Sequence, residues 1–358
     1  MERDRLIELL ARSEGYVSGE KLSGALSVTR AAVWKEISAL RQAGWPIVSA
    51  PRLGYRLEGT PPILSGAYLS GKLSQDSLFS GKILVEDRVD STNTRLKAMA
   101  AQGAAEGTVL LAEEQSGGRG TRGRSFSSPR GEGLYLSLLL RPKVKLEALF
   151  SLTGWAAVAA RRGIQAACGA QPQIKWLNDL YLNGKKLVGI LTELSLLGES
   201  GEPDFVVVGI GVNVSQSVAD FQDQGLEDVA VSLAMGGYET ERNTLAVGIL
   251  EAFEELYRKF PWGQSECLEE YRSHCMTLGR PVAFQAGEQT LEGVALSVGE
   301  DFPCWCGERM AGSTGCPLVR SACCDPIEAL RRYLPPEGLF HGHSAFHMLS
   351  QEARHSLS

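Results

Sequence analysis

Apolar positions recur at helical or strand spacing along most of the chain, and the changes of period mark its parts. Leu6, Ile7, Leu9 and Leu10 form the stripe of a first helix. Ser18 is placed to cap a second helix that ends near Leu26, Ser27-Val28 reads as a turn, and Thr29 caps a third helix with Val33, Ile37 and Leu40 facing inward. Arg30, Lys35, Ser38 and Arg41 are left on its outer face, and Gly44 ends it. Residues 45–49, a turn over 51–54 and residues 55–57 predict a β-hairpin with Arg52 at its tip. Thr60-Pro61-Pro62 opens a connection, with a short helix within 64–80. From Lys82 to about Pro261 short apolar strands alternate with helical stretches, among them 94–102, 146–168 and 243–258. That alternation predicts an α+β domain on a mixed sheet. No internal repeat is present.

Length and charge refine this division. A chain of 358 residues exceeds one typical domain. Its net charge of −6 argues against a chain wrapped wholly around nucleic acid. Residues 1–60 carry nine Lys/Arg against seven Asp/Glu, so they net +2 while the remainder nets −8. Two helices, a turn and a basic-tipped hairpin in a locally basic segment predict a winged helix-turn-helix DNA-binding module over 1–60. Its DNA-facing residues are Ser18, Thr29, Arg30, Lys35 and Arg52; the bland alternative is a small helical packing unit. The N-terminus lacks an apolar leader core, and no run of about 18 apolar residues exists, so a cytoplasmic protein without a membrane span is expected.

Four motifs between 81 and 265 carry chemistry. Gly117–Arg124 alternates glycine with arginine between two apolar strands. Such a loop can fold onto an anion through backbone N–H groups and guanidinium forks; a solvated basic loop is the alternative. Ile174–Leu180 puts Lys175 among apolar neighbours, where burial without an anion is costly, and Asn178 and Asp179 follow. A solvated edge-strand lysine is the commoner case. Asp90–Asn93 opens a helix, as a cap or as a cluster of hydroxyl and amide groups for a small polar ligand. Gly209–Asn213 ends a strand, where glycines permit a close approach. It is no dinucleotide fingerprint, and no motif predicts a bound structural metal. Cys304, Cys306, Cys316, Cys323 and Cys324 crowd one stretch without a metal-ligand spacing, and four of the five histidines lie in the last eighteen residues.

In this order the motifs resemble those of the bifunctional biotin protein ligases that also repress the biotin operon. The matching segments are residues 18–40, 90–93, 118–126, 175–179, 186–193 and 209–214. The resemblance runs from about residue 3 to residue 300. It implies a central domain of the biotin/lipoate-ligase (class II synthetase-like) type over 81–265, behind a linker at 61–80. It implies that Ser91, Thr92, Asn93, Gln115, Arg119, Gly120, Thr121, Lys175, Gly189 and Gly209 bind biotin, with Lys175 and Arg119 catalytic. Gly118, Arg122, Gly123, Arg124, Phe126, Asn178 and Asn213 belong to the adenylate loop and its surroundings. Thr121 stands where the common pattern has arginine, and Leu177 where it has proline, which puts adenylate retention in question. The implied substrates are biotin and ATP with Mg²⁺. The implied partners are a biotin carboxyl carrier protein, operator DNA and a second copy of the liganded chain. A lipoate-type ligase and a repressor without transfer activity are the rival readings.

The C-terminus departs from that pattern. Residues 266–301 resemble the first strands of an SH3-like β-domain, and the likeness stops after Glu300-Asp301. Residues 302–358 read as the product of a reading-frame shift, because codons compatible with 302–323, read one nucleotide earlier, permit alternating strands around an Asp-Gly turn. The expected consequence is an incomplete β-domain with an aberrant, poorly ordered tail. Resequencing the gene around codon 301 checks this: a shifted frame is expected, and an unambiguous in-frame read through Ser358 with a protease-resistant tail refutes it.

Overall fold

A computed structural model describes residues 2–197, 202–286, 289–300, 302–308 and 319–322. Helices α1 (Glu2–Arg12), α2 (Gly19–Leu26) and α3 (Arg30–Gln42) close around Leu6, Leu10, Leu22, Val33, Ile37 and Leu40, all essentially without solvent contact. Ser18 Oγ accepts the Lys21 N–H at 3.1 Å and Thr29 Oγ1 accepts the Ala32 N–H at 3.2 Å. Each cap contributes about 1 kcal/mol. Strands β1 (Ile47–Ala50) and β2 (Gly54–Leu57) form the predicted wing, with exposed Arg52 at its tip. The backbone of Val17 pairs with Tyr55 on its other side. A Cβ on Gly54 would sit 2.1 Å from Val17 O, so only glycine fits there.

The segment after the wing is packed. Asn243 Nδ2 donates to Pro61 O and Ile63 O, and its Oδ1 accepts the Ser65 N–H. Helix α4 (Gly66–Lys72) lies against α1, where a Cβ on Gly71 would fall 2.6 Å from Glu8 O. One continuous apolar cluster therefore runs from Leu6 through Leu69 into the central domain. Removing residues 1–60 uncovers part of this core, so the head is no freely detachable unit.

The central sheet has seven strands: β3 (Ile83–Val89), β4 (Val109–Gln115), β5 (Gly133–Leu140), β6 (Gln173–Lys175), β7 (Asp179–Leu182), β8 (Lys185–Leu196) and β9 (Pro203–Asn213). Their order is β3-β4-β5-β9-β8-β7-β6, with β3 and β4 parallel and every other pair antiparallel. Helix α5 (Thr92–Ala101) joins β3 to β4 and covers one face through Leu96, Ala100, Leu110, Leu139 and Val207. The short α6 (Leu146–Leu149) precedes α7 (Leu152–Cys168), the short α8 (Val218–Gln222) follows β9, and α9 (Arg242–Tyr257) packs with α7 on the other face. Both faces of β5 are covered, which is why residues 133–140 are apolar except for Ser137 and do not alternate. Helix α10 (Gln264–Ser273) leads out of the domain.

Strands β10 (Pro281–Ala286), β11 (Gln289–Val298), β12 (Cys304–Glu308) and β13 (Val319–Ala322) form an antiparallel sheet in that order. Two of these strands lie past residue 301, within the stretch that the sequence marks as an aberrant tail. Phe302 is buried edge-on against Tyr271 at 4.9 Å, and its carbonyl accepts the Trp176 indole N–H at 2.8 Å. Cys304 and Cys306 are buried as the inward positions of β12, acting as small apolar residues in strand alternation. The rest of the expected tail, 309–318 and 323–358, lies outside the described residues. No described helix is long and apolar enough to cross a membrane.

Candidate functional site

The sheet brings three of the four motifs to one pocket on the α5 face. Residues directly opposite in antiparallel strands share a face. Gly189 pairs with Gly211 and Gly211 with Tyr135; one step along, Leu191 pairs with Gly209 and Gly209 with Ser137. The glycines leave a floor without side chains. Ser91, Thr92 and Asn93 wall it from the start of α5, Gln115 from the end of β4, and Arg119 and Phe126 from the Gly/Arg loop.

The wall is internally bonded, with Ser91, Thr92 and Asn93 buried and Gln115 half-buried. Gln115 Oε1 accepts the Thr92 N–H at 2.8 Å and lies 3.1 Å from Thr92 Oγ1, while Gln115 Nε2 donates to Ser128 Oγ. Asn93 Nδ2 donates to Leu191 O and to Glu193. Ser91 stands at the N-cap position of α5, yet its side chain makes no capping bond. The motif is therefore more than a helix cap. Tyr135 donates to Pro129 O at 3.0 Å, and burial pushes its phenol far above the usual tyrosine range, so it stays protonated.

The Gly/Arg loop folds as a small hairpin. Phe126 N–H bonds to Gly118 O, Gly120 N–H to Arg124 O, and Thr121–Gly123 make a 3₁₀ turn with Gly123 at φ 73°. The hairpin lays the Phe126 ring over the floor: a Cβ on Gly211 would meet it at 2.6 Å and one on Gly189 at 3.1 Å. Only about 30 Å³ of the pocket stays open. A bicyclic ligand needs Phe126 to move. Gly209 has a different task, because a Cβ there would strike Asn93 Oδ1 at 2.2 Å.

Lys175 is not where the buried-lysine reading puts it. It sits exposed on edge strand β6, its ammonium 3.0 Å from Tyr181 OH and 4.6 Å from the centre of that ring. Through the pairs Lys175–Asp179 and Asp179–Gly189 it shares the glycine row, but two strand spacings, roughly 10 Å, separate them. An edge position lets the ammonium stay in water, so no buried anion is needed to explain it. Lys186 is closer: its Cε comes 3.2 Å from the position of a Cβ on Gly189, and its Nζ is 2.7 Å from Asp179 Oδ1. Asn178 and Asn213 do not line the pocket; their amides hold Ile190 O and Val231 O. Thr121 and Arg124 are exposed on the hairpin.

The biotin/lipoate A/B protein ligase family profile matches residues 85–213, and an HTH domain profile matches residues 2–56. The bifunctional ligase/repressor BirA of Bacillus subtilis is 36% identical over 84% of this chain and 92% of its own length. This chain belongs to the biotin/lipoate ligase family. BirA of Escherichia coli is 30% identical over 82% of the chain and 88% of its own. Among solved structures, the biotin protein ligase from Aquifex aeolicus, in complex with biotin and ATP, has a TM-score of 0.52 at 27% identity, covering 68% of this chain and 100% of that one. The α+β architecture, with a helix-turn-helix domain ahead of a family catalytic domain, is thereby established.

Proposed function

We propose that the chain is a biotin–protein ligase that joins biotin to ATP, passes it to a lysine of a biotin carboxyl carrier protein, and represses transcription in response to biotin. The observation that carries this reading is the wall of buried Ser91, Thr92 and Asn93 and half-buried Gln115 over a glycine floor covered by the loop residue Phe126. A flat ring with several N–H and C=O groups suits such a wall.

In the first step a biotin carboxylate oxygen bonds to the α-phosphorus of ATP, the bond to the β-phosphate bridge breaks, and pyrophosphate leaves. Lys186 stands beside the floor to stabilise the charge that builds there, and Arg119 lines the same pocket. Among the described residues no three His, Cys, Asp or Glu side chains cluster. A Mg²⁺ ion suits this site only with phosphate and water as its main ligands, Asp179 being the carboxylate on the glycine row. Such an ion would neutralise phosphate charge. The mixed anhydride is sensitive to water, and closure of the 118–126 hairpin with Phe126 excludes it. The carrier lysine amine then attacks the acyl carbon, AMP leaves with the bonding pair, and the amine loses a proton.

The test is to incubate the full chain with ATP and a carrier domain, with biotin or lipoate. Biotin-dependent pyrophosphate release with avidin-detectable carrier is expected. Lipoate-dependent release overturns the substrate, and biotin binding without release leaves only a sensor.

For the head, we infer that α3 enters the major groove of operator DNA, that the Arg52 tip meets phosphate, that two liganded copies bind together, and that this takes place in the cytoplasm. Arg30 is paired with Glu20 only at the surface, a weak contact that DNA displaces. Replacing Arg30 and Lys35 with alanine is expected to lower the slope of log K against log salt by about 2 while biotinylation is kept. An unchanged slope in a gel-shift titration would mean that α3 does not face DNA.

A further inference from the structure

Behind the pocket wall, Lys97, Ser137 and Glu193 have no part in the reaction as described, yet they fix which way its hydrogens point. Glu193 Oε1 accepts from Lys97 Nζ at 2.5 Å, and its Oε2 accepts from Asn93 Nδ2 at 2.8 Å. The other Asn93 Nδ2 hydrogen goes to Leu191 O at 3.1 Å. An ionised carboxylate and a carbonyl can only accept, so the Asn93 amide has a single orientation. Its Oδ1 then faces Ser137 Oγ at 2.6 Å and must receive that hydroxyl's hydrogen. A serine has one hydrogen to give. Toward Thr92 Oγ1, 2.8 Å away, Ser137 therefore presents lone pairs. Thr92 in turn gives its hydrogen to Ser137, buried behind the wall, rather than to Gln115 Oε1 at 3.1 Å within it. What Thr92 Oγ1 keeps for the pocket is its capacity to accept. Thr92, Asn93 and Ser137 are all at most 4% exposed, so water cannot repair a wrong orientation.

We propose that Glu193, held by Lys97, is a positioning residue that sets the polarity of the pocket wall. It makes Thr92 an acceptor, so the wall selects a ring that presents N–H at that point, as a cyclic urea does, and rejects one that presents oxygen. The assignment rests on the biotin reading of the site.

The discriminating variant is Glu193→Gln, which keeps the shape. The Lys97 ammonium demands an oxygen, so the introduced amide turns its Oε1 to Lys97 and its N–H groups to Asn93. Asn93 is then pulled two ways, by Leu191 O in its parent orientation and by the introduced amide in the reversed one; reversed, it donates to Ser137, whose hydrogen passes to Thr92, and the Thr92 hydrogen is released toward Gln115 Oε1 or the pocket. Adding Lys97→Met frees the introduced amide to turn its oxygen back. The probes are biotin and the two cyclic-carbamate isosteres in which a ring oxygen replaces one ureido N–H. Dissociation constants, adenylation kcat and KM, and the unfolding temperature are measured on the full chain.

The parent is expected to prefer biotin over one isostere by about 30-fold or more. In Glu193→Gln the preference for biotin over that isostere falls by about tenfold or more, while kcat stays within about threefold. The double variant recovers most of the lost preference. The proposal is overturned if Glu193→Gln keeps the parent's preference for biotin over that isostere. It is equally overturned if all three ligands weaken by one factor, the mark of a structural prop, or if adding Lys97→Met recovers nothing. A parent that does not bind biotin overturns the biotin reading as well, whereas a parent that discriminates beside an equally discriminating Glu193→Gln overturns the polarity proposal alone.

Discussion

Lys186→Ala is expected to slow biotin-dependent pyrophosphate release by about 10²–10³-fold, the usual loss when one preorganised charge-stabilising group is removed. Lys175→Ala is expected to cost less than about tenfold, as suits an exposed ammonium resting on Tyr181. The ranking follows from position: Lys186 reaches the Gly189 floor, and Lys175 stands two strands away. Because Lys186 is bonded to Asp179, its removal leaves that carboxylate without its 2.7 Å partner. Asp179→Asn in the Lys186→Ala background separates this side effect from the loss of the cation, since it removes the uncompensated charge. Single-turnover release at saturating biotin and ATP is the measurement. A Lys186→Ala rate within a few-fold of the parent, or a larger loss in Lys175→Ala, defeats the assignment.

The second large effect is expected at Gly209. Alanine there places a Cβ 2.2 Å from Asn93 Oδ1. Asn93 cannot give way cheaply, because its amide is tied to Leu191 O, Glu193 and Ser137 at once. Breaking one buried bond of this kind costs about 1–3 kcal/mol. Gly209→Ala is therefore expected to weaken biotin binding by about 10²-fold, with a modest fall in unfolding temperature. Isothermal titration beside a thermal melt checks it. Parent-like affinity would show that Asn93 has a second home and that the wall is softer than its bonds imply.

Much of this was legible in the sequence. The head was read from Ser18, Thr29 and the Val33-Ile37-Leu40 stripe, since caps and helical periodicity are local signals. Ser91, Thr92, Asn93, Gln115, Arg119, Phe126, Gly189 and Gly209 all carry a signal in the sequence and all reach one pocket. Lys186 opens the matching segment 186–193 but carries no signal of its own, for a physical reason. Strict alternation along β8 puts Lys186 and Gly189 on opposite faces. The pairing skips Leu187, with Leu180 opposite Val188 and Tyr181 opposite Lys186, and this bulge turns Lys186 to the glycine side. A bulge leaves no mark in a hydrophobic pattern. Ser137 was hidden differently: within an apolar run of eight residues it looks like core, and only the cross-strand register opposite Gly209 shows it behind Asn93. Past residue 301 two cysteines serve as inward strand positions, a use that a cysteine-rich composition does not announce.

The core shared by α1 and α4, with Asn243 gripping residues 61–65, bears on operator geometry. A head on a loose tether can reach half-sites at many separations. Here the head turns only as its catalytic body turns. In a paired form, the gap between two α3 helices is dictated by how the two bodies meet, and only operators whose half-sites repeat at that gap can be held by both. Lengthening the DNA between half-sites by about five base pairs, half a helical turn, would put the second site on the far side of the duplex, beyond what this joint can follow.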